Sequence, residues 1–275
     1  MRHIGTVSRG IRLPVVSKDA DLVDIVCTEL LKASKSERDL FDFRDGDIVG
    51  VTESLLARVQ GNYATLEDIA EDTRRLVPEG DVSLIFPILS RNRFGQILKG
   101  IIGGVRGKVH ILLSYPADEV GNLVIEPRNY YLRAGMLSAD LFGEKEYEEV
   151  FGRYIHPFTG VDYVKYYREM DPGRVEIHFG NNPLDALKFA DTVIVASIHA
   201  RFLHREILEK AGAKVVSIDQ FCTAPRRDGM GYNPEFGLLG SNYTNDGTLK
   251  LFPRDSGKFA DKLRKELFAR TGKKM

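Results

Sequence analysis

The chain has 275 residues, of which 43% are hydrophobic and 28% charged, with 39 Lys plus Arg balanced by 39 Asp plus Glu. That is an ordinary globular composition, and the zero net charge gives no ground for a nucleic-acid or anionic-membrane partner. The two cysteines, Cys27 and Cys222, form no CxxC pair, so a disulfide framework and a cysteine zinc site are both excluded.

Met1-Arg2-His3-Ile4-Gly5-Thr6 carries no secretory core, and no apolar run reaches membrane-spanning length, so the expected compartment is the cytoplasm. Residues 1–20 read as extended, with a strand over Arg12–Val16. Asp19–Lys32 places Leu22, Ile25, Val26, Leu30 and Leu31 at helical spacing. Asp45-Gly46-Asp47 is a turn signal. It precedes an apolar run expected to be a buried strand, Ile48–Val51, and a helix capped by Thr52 and stopped at Gly61-Asn62. A helix beginning where a buried strand ends presents free N–H groups to an anion.

Leu66–Leu76 reads as a helix, Val82–Leu89 as a strand broken at Pro87, and Val109–Ser114 as another strand. Between the two strands lie Arg91-Asn92-Arg93, suited to phosphate or carboxylate or simply solvated, and a glycine-rich stretch from Gly100 to Gly107. The loop Tyr115–Asn122 follows. In it, Asp118, Glu119 and Asn122 read either as hard-cation ligands or as a polar turn satisfying its own backbone. Residues 127–175 are less regular, with a helix expected over Glu144–Phe151 and a loop at His156–Gly160.

From 183 onward the pattern is clear. Leu184–Ala190 is helical, Thr192–Ser197 a strand, Phe202–Ala211 a helix and Lys214–Asp219 a strand. These apolar runs without alternation indicate a parallel pair covered on both faces. Ser197, His199 and Asp219 fall at strand ends, where α/β sheets bind ligands. Residues 220–255 form a long irregular stretch containing Arg226-Arg227, and Lys258–Ala269 closes the chain as a helix. No P-loop, GxGxxG, GxSxG or HExxH spacing occurs. The fold class is α/β, mixed α+β, with a parallel strand–helix–strand unit in the C-terminal half. Residues 1–130 and 131–275 are expected as two parts of one composite domain.

The order Asp45-Gly46-Asp47, apolar run, short helix ending Gln60-Gly61 resembles the N-terminal signature of the coenzyme F-420 gamma-glutamyl ligase family, DGD followed by a helix ending SKAEG. Phe86-Pro87 and Arg93-Phe94-Gly95 resemble that family's segment before its metal loop. Pro116–Asn122 stands where the family has GIDxSN, and Leu123–Pro127 resembles the apolar run after it. Over roughly residues 10–130 the order and spacing agree. His156–Tyr163, with His156 and Asp162, is the nearest counterpart of a second family signature, TDTNGR.

The resemblance implies a ligase fold and an amide ligase, dependent on GTP (or ATP) and on manganese or magnesium, that joins L-glutamate or another amino acid to a carboxylate acceptor through an acyl-phosphate. By position it implies Asp118 and Arg93 as catalytic residues and Asp118, Glu119 and Asn122 as metal ligands. Thr52, Glu53, Ser54 and Arg58 would lie near phosphate, and the protein would be a homodimer. The alternatives are a small-molecule-binding protein or sensor built on the C-terminal strand–helix–strand unit, with Ser197, His199 and Asp219 as its residues, and a binding protein that kept the fold without the chemistry.

Overall fold

The computed structural model describes residues 5–36, 40–133 and 141–275; residues 1–4 of the opening segment lie outside it. In chain order the elements begin with α1 (Leu22–Ser34), α2 (Glu53–Val59), β1 (Tyr63–Ala64), α3 (Leu66–Leu76), β2 (Val82–Ile85) and α4 (Phe94–Gly104). They continue with β3 (Val109–Leu113), α5 (Pro127–Arg133), β4 (Phe142–Gly143), α6 (Glu144–Phe151), α7 (Tyr163–Arg168) and β5 (Val175–Phe179). The last are β6 (Thr192–Val195), α8 (Arg201–Lys210), β7 (Lys214–Ser217), β8 (Asn242–Tyr243), β9 (Leu249–Lys250) and α9 (Ser256–Thr271). The chain divides into two compact units, one of residues 1–62 with 252–275 and one of residues 63–251. Residue 130, the division expected from the sequence, lies inside the second unit, in α5.

In the first unit, α1 opens on Asp21, whose carboxylate accepts the Asp24 N–H at 3.0 Å, a helix N-cap. The strands expected at Arg12–Val16 and Ile48–Val51 are absent. Both segments lack regular secondary structure and pair with no ladder among the described residues, and Val15 and Ile48 are 93% and 95% exposed. Alternation explains the second segment: Val49 and Val51 turn inward to Val26, Leu56, Leu263 and Leu267 while Ile48 and Gly50 face out. The Asp45-Gly46 turn is held by the C-terminal tail, since Gly46 N–H donates to the Lys274 carbonyl at 2.8 Å and Lys274 N–H to Asp45 at 2.7 Å. Gln60 binds both the Arg254 carbonyl (2.7 Å) and the Arg254 N–H (2.8 Å), so the glutamine that stands where the family signature has glutamate works as a backbone clamp.

The second unit is a mixed sheet in the order β4-β5-β3-β2-β6-β7, parallel except for β4, beside a small antiparallel sheet β1-β9-β8. Its central strands are apolar on both faces because both are covered. Leu84, Ile111, Ile177 and Ile194 face the main core, and Ile85, Leu112, Val193 and Val195 face the cluster completed by Ala186 and by Leu208 of α8. The predicted β6–α8–β7 unit is present and parallel. Two of its neighbours differ in detail. The expected helix at 184–190 is a 3-10 turn, Pro183–Lys188, and the strand expected to run to Asp219 ends at Ser217 and passes into a 3-10 turn, Ile218–Gln220. Val82–Leu89 likewise stops early, at Ile85, because Phe86 takes a positive φ of 52°.

The glycine-rich stretch is a packing device. A Cβ at Gly100 would sit 2.6 Å from Ile69 Cβ, and one at Gly104 would sit 2.4 Å from Thr73 Cβ, so α3 and α4 touch backbone to side chain. The long 220–255 segment is pinned to α3. Asp72, fully buried, accepts from the Cys222 N–H (2.6 Å) and Arg226 (3.0 Å), and the buried Asp68 accepts from Arg227 (2.9 Å). The Arg226-Arg227 pair is therefore spent on two buried carboxylates.

Candidate functional site at the carboxyl edge of the sheet

From β2 the chain passes to β3 and then β5 on one side, and returns to β6 on the other side of β2. The strand order thus reverses between β2 and β6. In open α/β sheets a ligand crevice lies outside the carboxyl ends of the strands at such a reversal. The segments leaving those ends are 86–93 after β2, 114–122 after β3, 196–200 after β6 and 218–220 after β7.

Asp118 organises the β3 loop. Its Oδ1 accepts the N–H groups of Val120 (3.0 Å) and Asn122 (2.8 Å), and its Oδ2 accepts the Leu89 N–H (2.8 Å) and Asn122 Nδ2 (2.7 Å). A carboxylate has about four lone-pair directions, and all are taken. Glu119, exposed, reaches across to α8. Its carboxylate accepts the backbone N–H groups of Ile198 (2.5 Å), His199 (3.0 Å) and Ala200 (3.3 Å), the free donors just before the first turn of that helix. This is an anion seat made of main chain, and Glu119 fills it.

Around the seat, the buried Ser197 Oγ lies 2.8 Å from His204 Nδ1, and His204 packs edge-on to Phe86. Burial pushes the His204 imidazole below its ordinary pKa, with Glu119 acting weakly the other way. Arg201 ties the seat to β7: it donates to the Ile198 carbonyl at 2.6 Å and to Asp219 Oδ2 at 2.9 Å. The other oxygen, Asp219 Oδ1, is buried and accepts no hydrogen bond from the described residues. A row of N–H groups at a helix start thus lies between two parallel strands, with a carboxylate just beyond the end of the second. In α/β sheets ligands are held at such strand ends.

The fold thus brings Asp118, Glu119 and Asn122 into one loop and sets Glu119 against Ile198–Ala200, with Ser197 and Asp219 beside them. His199 takes part through its N–H while its side chain is exposed. Arg93 donates to Asn242 Oδ1 at 2.8 Å. His156 and Asp162 have local roles. His156 Nδ1 accepts the Phe158 and Thr159 N–H groups (3.3 and 3.2 Å). Asp162 caps α7 through the Lys165 N–H (2.9 Å) and pairs with Arg153 (2.6 Å).

Thr52, Glu53, Ser54 and Arg58 belong to the first unit. There α2 has seven residues, and Thr52 makes no side-chain cap bond. Thr52 and Glu53 border a cavity of about 480 Å³ otherwise walled by groups such as Val49, Val51, Phe259 and Leu263. The implied divalent metal would fall to Asp118, Glu119 and Asn122. As arranged, they offer it no shell, because Asp118 has no lone pair left and both Glu119 oxygens are turned to α8.

Sequence reasoning missed Arg201 and the amides of Ile198 and Ala200; it weighed His204 only as one of several lone histidines, not as the partner of Ser197. Only the change from buried strand to helix at 196–201 could have signalled them, since backbone donors leave no residue-type signature.

The fold and site define an α/β protein with a row of main-chain N–H groups at the carboxyl edge of its sheet. A family model, F420-0:Gamma-glutamyl ligase, matches residues 10–275, and the chain belongs to that family, whose activity is gamma-glutamyl ligation. No curated protein and no solved structure matches the chain. Among the described residues, no helix is long and apolar enough to cross a membrane.

Proposed function

We propose that the chain is a nucleotide-triphosphate-dependent amide ligase of gamma-glutamyl type, joining an amino acid such as glutamate to a carboxylate acceptor. It would take GTP or ATP and act in the cytoplasm as a homodimer. The observation that carries the nucleotide part is the Glu119 carboxylate lying on three main-chain N–H groups at the strand-order reversal. That seat suits a phosphate, and its present occupant is an exposed side chain, free to swing away. Asp219 Oδ1 would accept from a sugar hydroxyl, with Arg201 paired to the other oxygen at 2.9 Å.

In this reading the chain's own contribution is binding and orientation. The amides neutralise phosphate charge without reorganising, and Asp118 keeps the β3 loop in the shape that brings Glu119 to the seat. The manganese or magnesium the family implies would neutralise further phosphate charge. Asp118, Glu119 and Asn122 as arranged do not seat it, so no step is routed through it here.

The test is calorimetric binding of non-hydrolysable GTP and ATP analogues to the parent chain and to Glu119→Ala, followed by phosphate release with glutamate and carboxylate acceptors. Glu119→Ala should bind triphosphate several-fold more tightly, and Asp219→Ala about 10-fold more weakly, the worth of one hydrogen bond to a charged group. Absence of nucleotide binding by both the parent and Glu119→Ala would remove the proposal. Tight nucleotide binding with no glutamate-dependent phosphate release would favour the sensor reading, which the full satisfaction of Asp118 by N–H donors also supports.

A further inference from the structure

The sheet face covered by Ala186 and α8 carries, farther out on β3 and β5, a second cluster that the ligase reading does not use. His110 on β3 and Glu176 on β5 are directly paired, as are Leu112 and His178, so His110, Glu176 and His178 project from one face of two adjacent parallel strands. His110 and Glu176 are the second residues of their five-residue strands, and His178 is the fourth. His110 Nδ1 is 3.2 Å from His178 Nε2 and 3.3 Å from Glu176 Oε2. One ligand atom from each of the three falls within 4.8 Å of the others. Phe189 covers the group, stacking on His178 at 3.8 Å and on His110 at 5.3 Å between ring centroids.

Proton bookkeeping makes this cluster incomplete. If His110 Nδ1 carries the proton, two lone-pair atoms, His178 Nε2 and Glu176 Oε2, compete for it. If His178 Nε2 carries it, the Nδ1 lone pair faces the carboxylate lone pair at 3.3 Å. Either way more lone pairs converge than there are protons to share. A cation resolves the conflict. Tetrahedral ligands around an ion at 2.0–2.1 Å are separated by about 3.3–3.4 Å, close to the two spacings seen. Burial holds both imidazoles below their usual pKa, His178 to about 4 with His110 adding to the effect, so both are in the neutral, metal-binding form at pH 7.

We propose that His110, Glu176 and His178 form a two-histidine, one-carboxylate site for a divalent transition ion of the zinc, cobalt or iron type. Imidazole nitrogens select such ions over magnesium, which prefers oxygen. Glu176 Oε2 faces the ion, while Lys108 Nζ, 2.5 Å from Oε1, holds the carboxylate from behind. Glu176 and Lys108 are 38% and 49% exposed, which gives the ion a path from solvent and leaves a coordination position open. The proposal does not depend on the ligase reading.

The test is cobalt titration of the chelator-stripped full chain in excess Mg²⁺, which fills any oxygen site first. One equivalent should produce visible d–d bands of a low-symmetry ion, chased by one equivalent of Zn²⁺. His178→Gln and Glu176→Gln should each weaken Zn²⁺ by about 100-fold or more, since even outer-shell partners are worth 10–100-fold. Lys108→Met removes the outer-shell partner of Glu176 and should weaken Zn²⁺ by about 10-fold. That loss of metal affinity distinguishes a metal site from a structural ion pair. Should His178→Gln lose its circular dichroism, the two exposed positions carry the test alone. Absence of cobalt bands and zinc heat in the folded parent would overturn the site. Unchanged Zn²⁺ affinity in Glu176→Gln would overturn it too.

Discussion

Asp118→Asn separates two roles for that carboxylate. In the structure Oδ1 serves the Val120 and Asn122 N–H groups, and Oδ2 serves the Leu89 N–H and Asn122 Nδ2. An asparagine can keep its oxygen on the first pair only. Its NH₂ then faces two donors. The Leu89 N–H belongs to a residue 3% exposed, beyond reach of water, so losing its acceptor costs about 2 kcal/mol. The Asn122 amide is half-buried and can turn to water, adding about 1 kcal/mol. The expected loss is therefore about 3 kcal/mol, read as a lower urea midpoint at unchanged slope in far-ultraviolet circular dichroism, without added metal. The chain has no tryptophan, so tyrosine fluorescence provides the second probe. A metal-holding carboxylate with free lone pairs predicts the opposite: relief of repulsion and equal or greater stability of the metal-free protein. An Asp118→Asn chain within about 0.5 kcal/mol of the parent would refute the structural role argued from these four bonds.

Three further outcomes follow from the packing and hydrogen bonding of the second unit. Gly104→Ala should cost about 2 kcal/mol, because its Cβ would lie 2.4 Å from Thr73 Cβ and 2.5 Å from the Ala70 carbonyl oxygen. Gly103→Ala, whose nearest neighbour is at 3.5 Å, should gain about 0.5–1 kcal/mol from helix propensity; equal melting shifts for the two would contradict the α3–α4 contact. His204 has a folded pKa depressed by burial, so its neutral form is favoured in the native state. Its contribution is present above the ordinary histidine range and is lost as pH falls through and below it. The melting temperature of His204→Gln should accordingly decline less than the parent's on acidification from pH 7; parallel decline would count against it. Asp72→Ala should cost about 3–5 kcal/mol by stranding Arg226 and the Cys222 N–H, and should expose residues 222–230 to protease; unaltered cleavage would show that Asp72 does not anchor that segment.

Much of the second unit was legible from residue order. The apolar runs of β2, β3, β6 and β7 read as strands, the last two as a parallel pair covered on both faces, and α3 and α8 declared themselves by the spacing of their apolar residues, as did α9 in the first unit. Ligase membership was legible in the order of short motifs across the first half. Other features required the folded chain. Ile48–Val51 has strand composition but no partner, because a strand is defined by its ladder and the ladder is a tertiary fact. Asp118 looked like a metal ligand because residue type gives a carboxylate and not where its lone pairs point.

The seat at Ile198–Ala200 is made of main-chain N–H groups, which every residue but proline possesses, so no residue pattern marks it. Likewise His110 and His178 are 68 positions apart, and only the register of β3 against β5 places their ring nitrogens 3.2 Å apart. Periodicity and composition determine which segments become strands and helices, since those depend on neighbours in the chain. Which polar atoms meet depends on strand order and register, and these are decided only when the whole core closes.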